Sequence, residues 1–308
     1  MRRSPALLAA LFPMAALADY PTGPVTFVVP FPPGDLEDVL TRMIAEDFQA
    51  ATGQPAAVLN RPGGGGGPFP GAIEVAGAPA DGSVIGSFVI DVPLIGPLID
   101  IPQLNPNPFE PVGIFLTYPF VLAAAADAPF ADMAGLAAHA AAEPVLLGHF
   151  GAELVPTQVS FALAAALGFD WADDAAFDAL DCNTLASGDV DVINTTLQLI
   201  LPCLDRVRIL ASITGTRLAA APDAPTVAEL VPSLDIAMWT GLFVHRDTPA
   251  EVRARIAEVA AATNASPRAQ AFAAETGAQI YWLDAAAATA RLAEDAATLD
   301  AIAALLGD

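Results

Sequence analysis

Apolar runs and helical patterns alternate along the chain from residue 25 onward. Residues 25–29 are β-branched and apolar and lie between two prolines, which is typical of a strand buried on both faces. From Leu36 to Phe48, apolar side chains recur at three- and four-residue spacing, which predicts a helix that ends at Gly53. A strand at residues 56–59, a short helix at residues 69–78 and a strand at residues 84–90 are predicted next. This order predicts a layered α/β fold.

The alternation continues after a proline-rich change of composition near residues 105–119. Further strands are predicted at residues 112–116, 120–124, 145–147, 190–193, 207–212 and 239–244. Helices are predicted at residues 136–142, 157–167 and 175–186, with a helical pattern from Pro249 and a last helix that Asp284 caps. The chain has 308 residues and is 55% hydrophobic, so it can bury a large core, in two domains.

The first 18 residues have the pattern of a secretory signal peptide. Two arginines follow the first methionine, residues 4–17 are apolar, and small residues fit cleavage after Ala18. A membrane anchor is the alternative, but the stretch is too short to span and contains two prolines. The residues after the arginines do not support a twin-arginine signal. We therefore expect an exported protein in the periplasm.

Charge narrows the classes of function. Twelve arginines and no lysine stand against 35 acidic residues, so the formal net charge is −23. The missing lysine excludes a P-loop lysine and a Schiff-base lysine, and the acidity argues against nucleic acid as a partner. Three histidines, spread over positions 139 to 245, argue against a histidine-based metal site. We expect no metal and no cofactor.

The two cysteines, Cys182 and Cys203, allow two interpretations. In an oxidising compartment they would form a disulfide; otherwise they are buried thiols that act as small hydrophobes. The chain has no Gly-x-Ser-x-Gly elbow and no His-Glu-x-x-His motif, so we expect no enzyme. The alternative is a secreted hydrolase that uses His149 or His245 with a dispersed nucleophile.

Two loops are candidates for binding a small anion without lysine. The loop that contains Pro33 and Gly34 joins a predicted strand to a helix start, where free amides and the helix dipole attract carboxylates. A run of five glycines, residues 63–67, offers more amides, although it does not match the dinucleotide or P-loop motifs. The alternatives are a simple turn for the first loop and a flexible surface loop for the second.

A set of short motifs runs in order along nearly the whole chain. The motifs are Tyr20-Pro21, residues 28–34 with Asp38 and Arg42, residues 53–55, residues 60–63, Asp81-Gly82, residues 188–191, Arg217 with residues 222–229, residues 239–243 and Thr248-Pro249. Each motif is weak alone. As an ordered set, they resemble the periplasmic solute-binding proteins of tripartite tricarboxylate transporters, the Bug family.

The resemblance implies a two-lobed periplasmic-binding-protein (Venus flytrap) fold. Each lobe would be a mainly parallel sheet flanked by helices, and two crossing strands would join lobes that close by hinge motion. After the signal peptide at 1–18, lobe 1 would be residues 19–118 plus 240–308, and lobe 2 residues 119–239. A monomer would capture a small organic solute and deliver it to permease subunits. The alternative is a sensor that presents its bound form to a receptor kinase.

The resemblance also places the ligand on facing loops of the two lobes, with a carboxylate or a related amide or amino acid as the solute. The residues expected at the ligand are Phe31, Pro33, Gly34, Asp35, Arg61, Gly64, Gly65, Gly66, His149, Phe150, Asn194 and Thr195. Two roles stay open. Arg61 either binds a carboxylate or braces its loop, and His149 either donates to the ligand or packs in its loop.

Asp35 departs from the family pattern, which usually has a second glycine at this position. A carboxylate here would cap the following helix and would repel a ligand carboxylate. We therefore hypothesise a ligand other than a plain di- or tricarboxylate, such as an amide, an amino acid, or a neutral or cationic solute.

Overall fold

The computed structural model describes residues 20–63 and 67–307. The predicted signal peptide and the three predicted ligand contacts Gly64, Gly65 and Gly66 lie outside these ranges. Among the described residues, none of the helices combines the length and the apolar character that crossing a membrane requires.

Strands and helices alternate as the hydrophobic pattern predicts. The strands are β1 Val25–Val29, β2 Ala56–Asn60, β3 Val84–Val89, β4 Phe109–Thr117, β5 Phe120–Ala125, β6 Leu146–His149, β7 Asp173–Ala176, β8 Val192–Thr196, β9 Val207–Ile213, β10 Trp239–His245 and β11 Gln279–Asp284. The helices are α1 Leu36–Thr52, α2 Phe69–Ala76, α3 Asp91–Ile95, α4 Met133–Ala140, α5 Val155–Leu167, α6 Cys182–Ser187, α7 Leu197–Ile200, α8 Val227–Leu230, α9 Ala250–Asn264, α10 Pro267–Thr276 and α11 Ala285–Leu306.

The strands form two sheets, which confirms the two-lobed α/β fold. The first sheet has the order β11-β4-β10-β3-β1-β2, and the second has the order β7-β6-β8-β5-β9. Both sheets are mixed rather than mainly parallel. In the first, β1 is parallel to β2 and β3, but β10 is antiparallel to β3 and β4. In the second, β5 is antiparallel to β8 and β9.

The antiparallel pairs follow from how the chain crosses between the sheets. It leaves the first sheet at Thr117, the last residue of β4, and enters the second at Phe120. It returns to the first sheet at Trp239, which pairs with Thr117. Because β10 starts where β4 ends, the two strands must run in opposite directions. The lobe boundaries stay a prediction; helix α11 packs against both β4 and α5.

The amphipathic pattern of α1 corresponds to the face that the helix buries in the core of the first lobe. Leu40, Ile44 and Phe48 are fully buried on one face of α1, and the ring of Phe48 meets that of Phe27 edge-on at 5.9 Å. Each such side chain contributes about 1.5–3 kcal/mol through burial. The helix ends as predicted at Gly53, whose φ of 71° is a left-handed conformation that favours glycine.

Two local predictions differ from the structure. The helix predicted at residues 175–186 is wrong: β7 ends at Ala176, and α6 begins only after Asp181, whose side chain caps it. Parallel pairing with β6 along the sheet edge holds residues 173–176 extended, an effect outside the local pattern. Strand β11 was not predicted, because the sequence after Pro249 has a helical pattern. It forms an edge of the first sheet, beside β4.

In the structure, Cys182 and Cys203 are joined by a disulfide, with their Cα atoms 5.9 Å apart. The bond links the first residue of α6 to the short helical segment Leu201–Arg206 that precedes β9.

Candidate functional site

A cavity of about 590 Å³ lies between the two sheets. Lobe 1 contributes the loop after β1, the residues after β2 and the end of β3. The second sheet contributes the ends of β6, β7 and β8 and the start of α5, while Tyr118 and Met238 line it at the two crossings. The carboxyl ends of strands are where open α/β sheets bind ligands, and the volume suits a small molecule.

The walls of the cavity are largely aromatic and aliphatic. Phe31 faces it from lobe 1, and Phe120, Phe150 and Phe177 face it from the second sheet. The rings of Phe120 and Phe150 meet edge-on, with their centroids 6.3 Å apart. Such walls favour a solute with an apolar body, because burial removes apolar surface from water on both sides.

The start of α1 carries the main polar group on the lobe 1 side. Asp35 is the N-cap residue, and its Oδ1 accepts a hydrogen bond from the amide of Glu37 at 3.0 Å. The Tyr118 hydroxyl donates to the same oxygen. One residue earlier, the Gly34 amide donates to Asp38 Oδ2 at 2.8 Å. The chain's own carboxylates therefore occupy two amides that would otherwise be available to an anionic ligand.

Burial changes the pKa values of the titratable side chains at the start of α1 and at Tyr118. It raises the pKa of Asp35, although the Tyr118 hydroxyl and the Glu37 amide favour its ionised form. Burial and the nearby Asp35 raise the pKa of Glu37 well above its ordinary value, and the Glu37 side chain is fully buried. The pKa of the Tyr118 phenol is also raised by burial and by the two carboxyls. The hydroxyl of Tyr118 is therefore a permanent donor at neutral pH.

Asp91 is a second carboxyl in the lining of the cavity, and its hydrogen bond links the two lobes. It is the first residue of α3, two positions after the end of β3. Its Oδ1 accepts a hydrogen bond at 2.7 Å from the amide of Val155, the first residue of α5. Leu154, which precedes α5, supplies no capping side chain. Asp91 thus caps this helix from the other lobe. Burial raises its pKa to about 6.

Four of the predicted ligand contacts line the cavity: Phe31, Gly34, Asp35 and Phe150. Pro33 lies in the same loop, although the lining is formed by its neighbours Pro32 and Gly34. Arg61 lies outside the lining and pairs on the surface with Glu74, with 2.6 Å between Nε and Oε2.

The three other predicted contacts from lobe 2 point into the protein. His149 is 2% exposed, and its Nε2 lies 2.7 Å from Asp174 Oδ1. Asn194 Nδ2 donates to the carbonyl of Pro156 at 2.7 Å, and the Thr195 hydroxyl donates to the carbonyl of Leu180 at 2.6 Å. Their neighbour Thr196, the last residue of β8, lines the cavity instead.

Asp91 and Phe177 line the cavity but are not among the ligand contacts predicted from the sequence. A usable signal existed for Asp91, because a lone carboxylate directly after an apolar strand stands at the strand's carboxyl end. A further signal was the helix at Val155, which lacks a capping residue before it. In the described part of the chain, no group of three or more histidine, cysteine or acidic side chains comes together to hold a metal.

Comparison with known proteins agrees with this architecture. Residues 40–305 match the family model of the tripartite tricarboxylate transporter family receptor. The chain is 31% identical over 256 residues to the "UPF0065 protein in tcbD-tcbE intergenic region" of Pseudomonas sp. strain P51, covering 77% of this chain and 72% of that protein.

Two solved structures from Rhodopseudomonas palustris share the fold, each at 24% sequence identity. Rpa4515 with adipate has a TM-score of 0.79, over 94% of this chain and 99% of that one. MatC (Rpa3494) with bound malate has a TM-score of 0.71, over 85% of this chain and 91% of that one. Because the family match spans most of the chain, it confirms the resemblance drawn from the motifs: the protein belongs to the tripartite tricarboxylate transporter receptor family.

Proposed function

We propose that the protein captures a small organic solute between its two lobes and delivers it to the membrane subunits of a tripartite tricarboxylate-type permease. The observation that carries this proposal is the cavity of about 590 Å³, which is lined by strand ends of both sheets and by the two crossings. Tyr118 and Met238 at the crossings would act as the hinge about which the lobes close on the solute.

The solute class follows from the relatives and from the walls of the cavity. One structural neighbour holds adipate and another holds malate, both small carboxylates. The solute here is a small carboxylate, or a related amide or amino acid. Four phenylalanines enclose its carbon skeleton: Phe31, Phe120, Phe150 and Phe177.

Receptors of this family are periplasmic. For this chain, we propose export by the signal peptide at residues 1–18 and cleavage after Ala18. The mature protein then works as a monomer that binds without chemical turnover. Lobe 1 comprises residues 19–118 plus 240–308, and lobe 2 comprises residues 119–239.

A thermal-shift screen of the mature chain tests the proposal. A panel of small carboxylates, amides and amino acids should contain one chemical class that raises the melting temperature, because ligand at 100 times its Kd stabilises a fold by about 2.7 kcal/mol. Phe150→Ala should weaken the best ligand by about tenfold or more, whereas the surface variant Arg61→Ala should not. No stabilisation by any solute, together with hydrolysis of an ester or amide, would instead favour a hydrolase.

A further inference from the structure

The start of α1 is occupied by the protein's own carboxylates. Asp35 Oδ1 accepts hydrogen bonds from the Glu37 amide and from the Tyr118 hydroxyl, and Asp38 accepts one from the Gly34 amide. A ligand carboxylate at this helix start would have to displace Asp35 from both of its donors. It would also approach a carboxylate side chain at close range, and juxtaposed like charges strongly disfavour binding.

The described lining contains acidic side chains and no basic ones. Its titratable side chains are those of Asp35, Asp91, Tyr118 and Asp178, three of which are carboxyls. The arginines of the β1 and β2 region have other partners. Arg42 binds Asp38 and Asn60, and Arg61 binds Glu74.

Two polar atoms of the lining have no hydrogen-bond partner among the described residues. Both hydrogen bonds to Asp35 fall on Oδ1, and no donor among the described residues reaches its Oδ2. On the opposite wall, Thr196 is 4% exposed, and its buried hydroxyl has no partner in the described chain. A carboxylate oxygen accepts hydrogen bonds, so Oδ2 can accept one from a donor group of the ligand.

We propose that the cavity selects a solute whose polar end is a nitrogen hydrogen-bond donor, an ammonium or an amide group, carried on an apolar body. Asp35 receives this group through Oδ2 and determines the selectivity against plain dicarboxylates. The proposal rests on the solute-binding function proposed above and specifies the class of solute.

A matched set of six-carbon ligands tests it by isothermal titration calorimetry on the mature chain: adipate, 6-aminohexanoate, adipamide and hexane-1,6-diamine. At least one nitrogen-bearing member should bind about tenfold or more tightly than adipate. Asp35→Asn keeps a good helix cap but removes the charge, so it should reduce the preference for an ammonium-ended ligand over adipate by about tenfold.

Asp132→Asn is the matched control. Asp132 also caps a helix, α4, by accepting from the Gly135 amide at 2.7 Å, but it is exposed and lies outside the cavity lining. This variant should keep the wild-type ranking of ligands. Thermal unfolding without ligand verifies that both variants are folded, and the ranking by the wild-type chain stands independently of either variant.

The outcomes separate the two proposals. If adipate binds the wild-type chain as tightly as the nitrogen-bearing ligands, the selectivity is refuted while the solute-binding function stands. If Asp35→Asn is folded and keeps the full preference, Asp35 does not determine the selectivity. If neither this set nor the broad solute panel binds, both proposals fail.

Discussion

Replacing Asp91 by asparagine tests whether a buried charge at the contact between the lobes destabilises the fold at neutral pH. Asp91 is 5% exposed, and its Oδ1 accepts the Val155 amide hydrogen from the other lobe at 2.7 Å. Asparagine has nearly the same shape and keeps an acceptor oxygen, but it cannot ionise. The substitution therefore removes the charge and leaves the hydrogen bond between the lobes in place.

The expected effect depends on pH. Burial raises the pKa of Asp91 from 3.8 to about 6, despite the opposing effect of the Val155 amide. A carboxyl with a raised pKa stabilises the folded state fully below its unfolded pKa of about 4, and this contribution is lost as the pH rises through about 6. The shift corresponds to about 3 kcal/mol. Asp91→Asn should thus match the wild type near pH 4 and exceed its stability by up to about 3 kcal/mol at pH 7.5.

Urea unfolding of the ligand-free chain from pH 4 to pH 8 measures this difference. Asp178→Asn is the matched control, because Asp178 lines the same cavity but is exposed. Its free energy of unfolding should stay within about 0.5 kcal/mol of the wild type across the whole range.

Two results would refute the reasoning. If the wild type and Asp91→Asn lose stability in parallel from pH 4 to pH 8, the charge of Asp91 is not buried in the free protein. If Asp91→Asn is less stable by a constant amount, the contact depends on the geometry of the acceptor rather than on its ionisation.

Three further variants test other contacts. Tyr118→Phe removes a buried hydroxyl that donates to Asp35, and the free energy of unfolding in urea should fall by about 1–3 kcal/mol; a fall below about 0.5 kcal/mol would contradict the contact. Replacing Cys182 and Cys203 with serine opens a link between residues 21 apart and should cost about 3 kcal/mol, while a thiol assay on the unfolded, unreduced wild type should find no free thiol. Arg61→Ala should leave ligand affinity within about twofold, because its ion pair is exposed; a tenfold loss would place Arg61 at the ligand.

Local patterns in the sequence determined most of the secondary structure and the family. The apolar run at Val25–Val29 and the periodic face of α1 became a buried strand and its packed helix, and Gly53 ended that helix. Asp35 was recognised as a helix cap, and the structure shows this cap bond. These features depend on neighbours within one helical turn or one strand, so the order of residues is enough to predict them.

The partners of polar side chains were decided only by the tertiary structure. Arg61 bonds to Glu74, 13 residues away, and His149 bonds to Asp174, 25 residues away, so both lie outside the cavity lining. The Asp91 bond joins residues 64 positions apart on different lobes. Local sequence patterns do not pair residues that are so far apart along the chain, because their contact depends on how the sheets and helices pack.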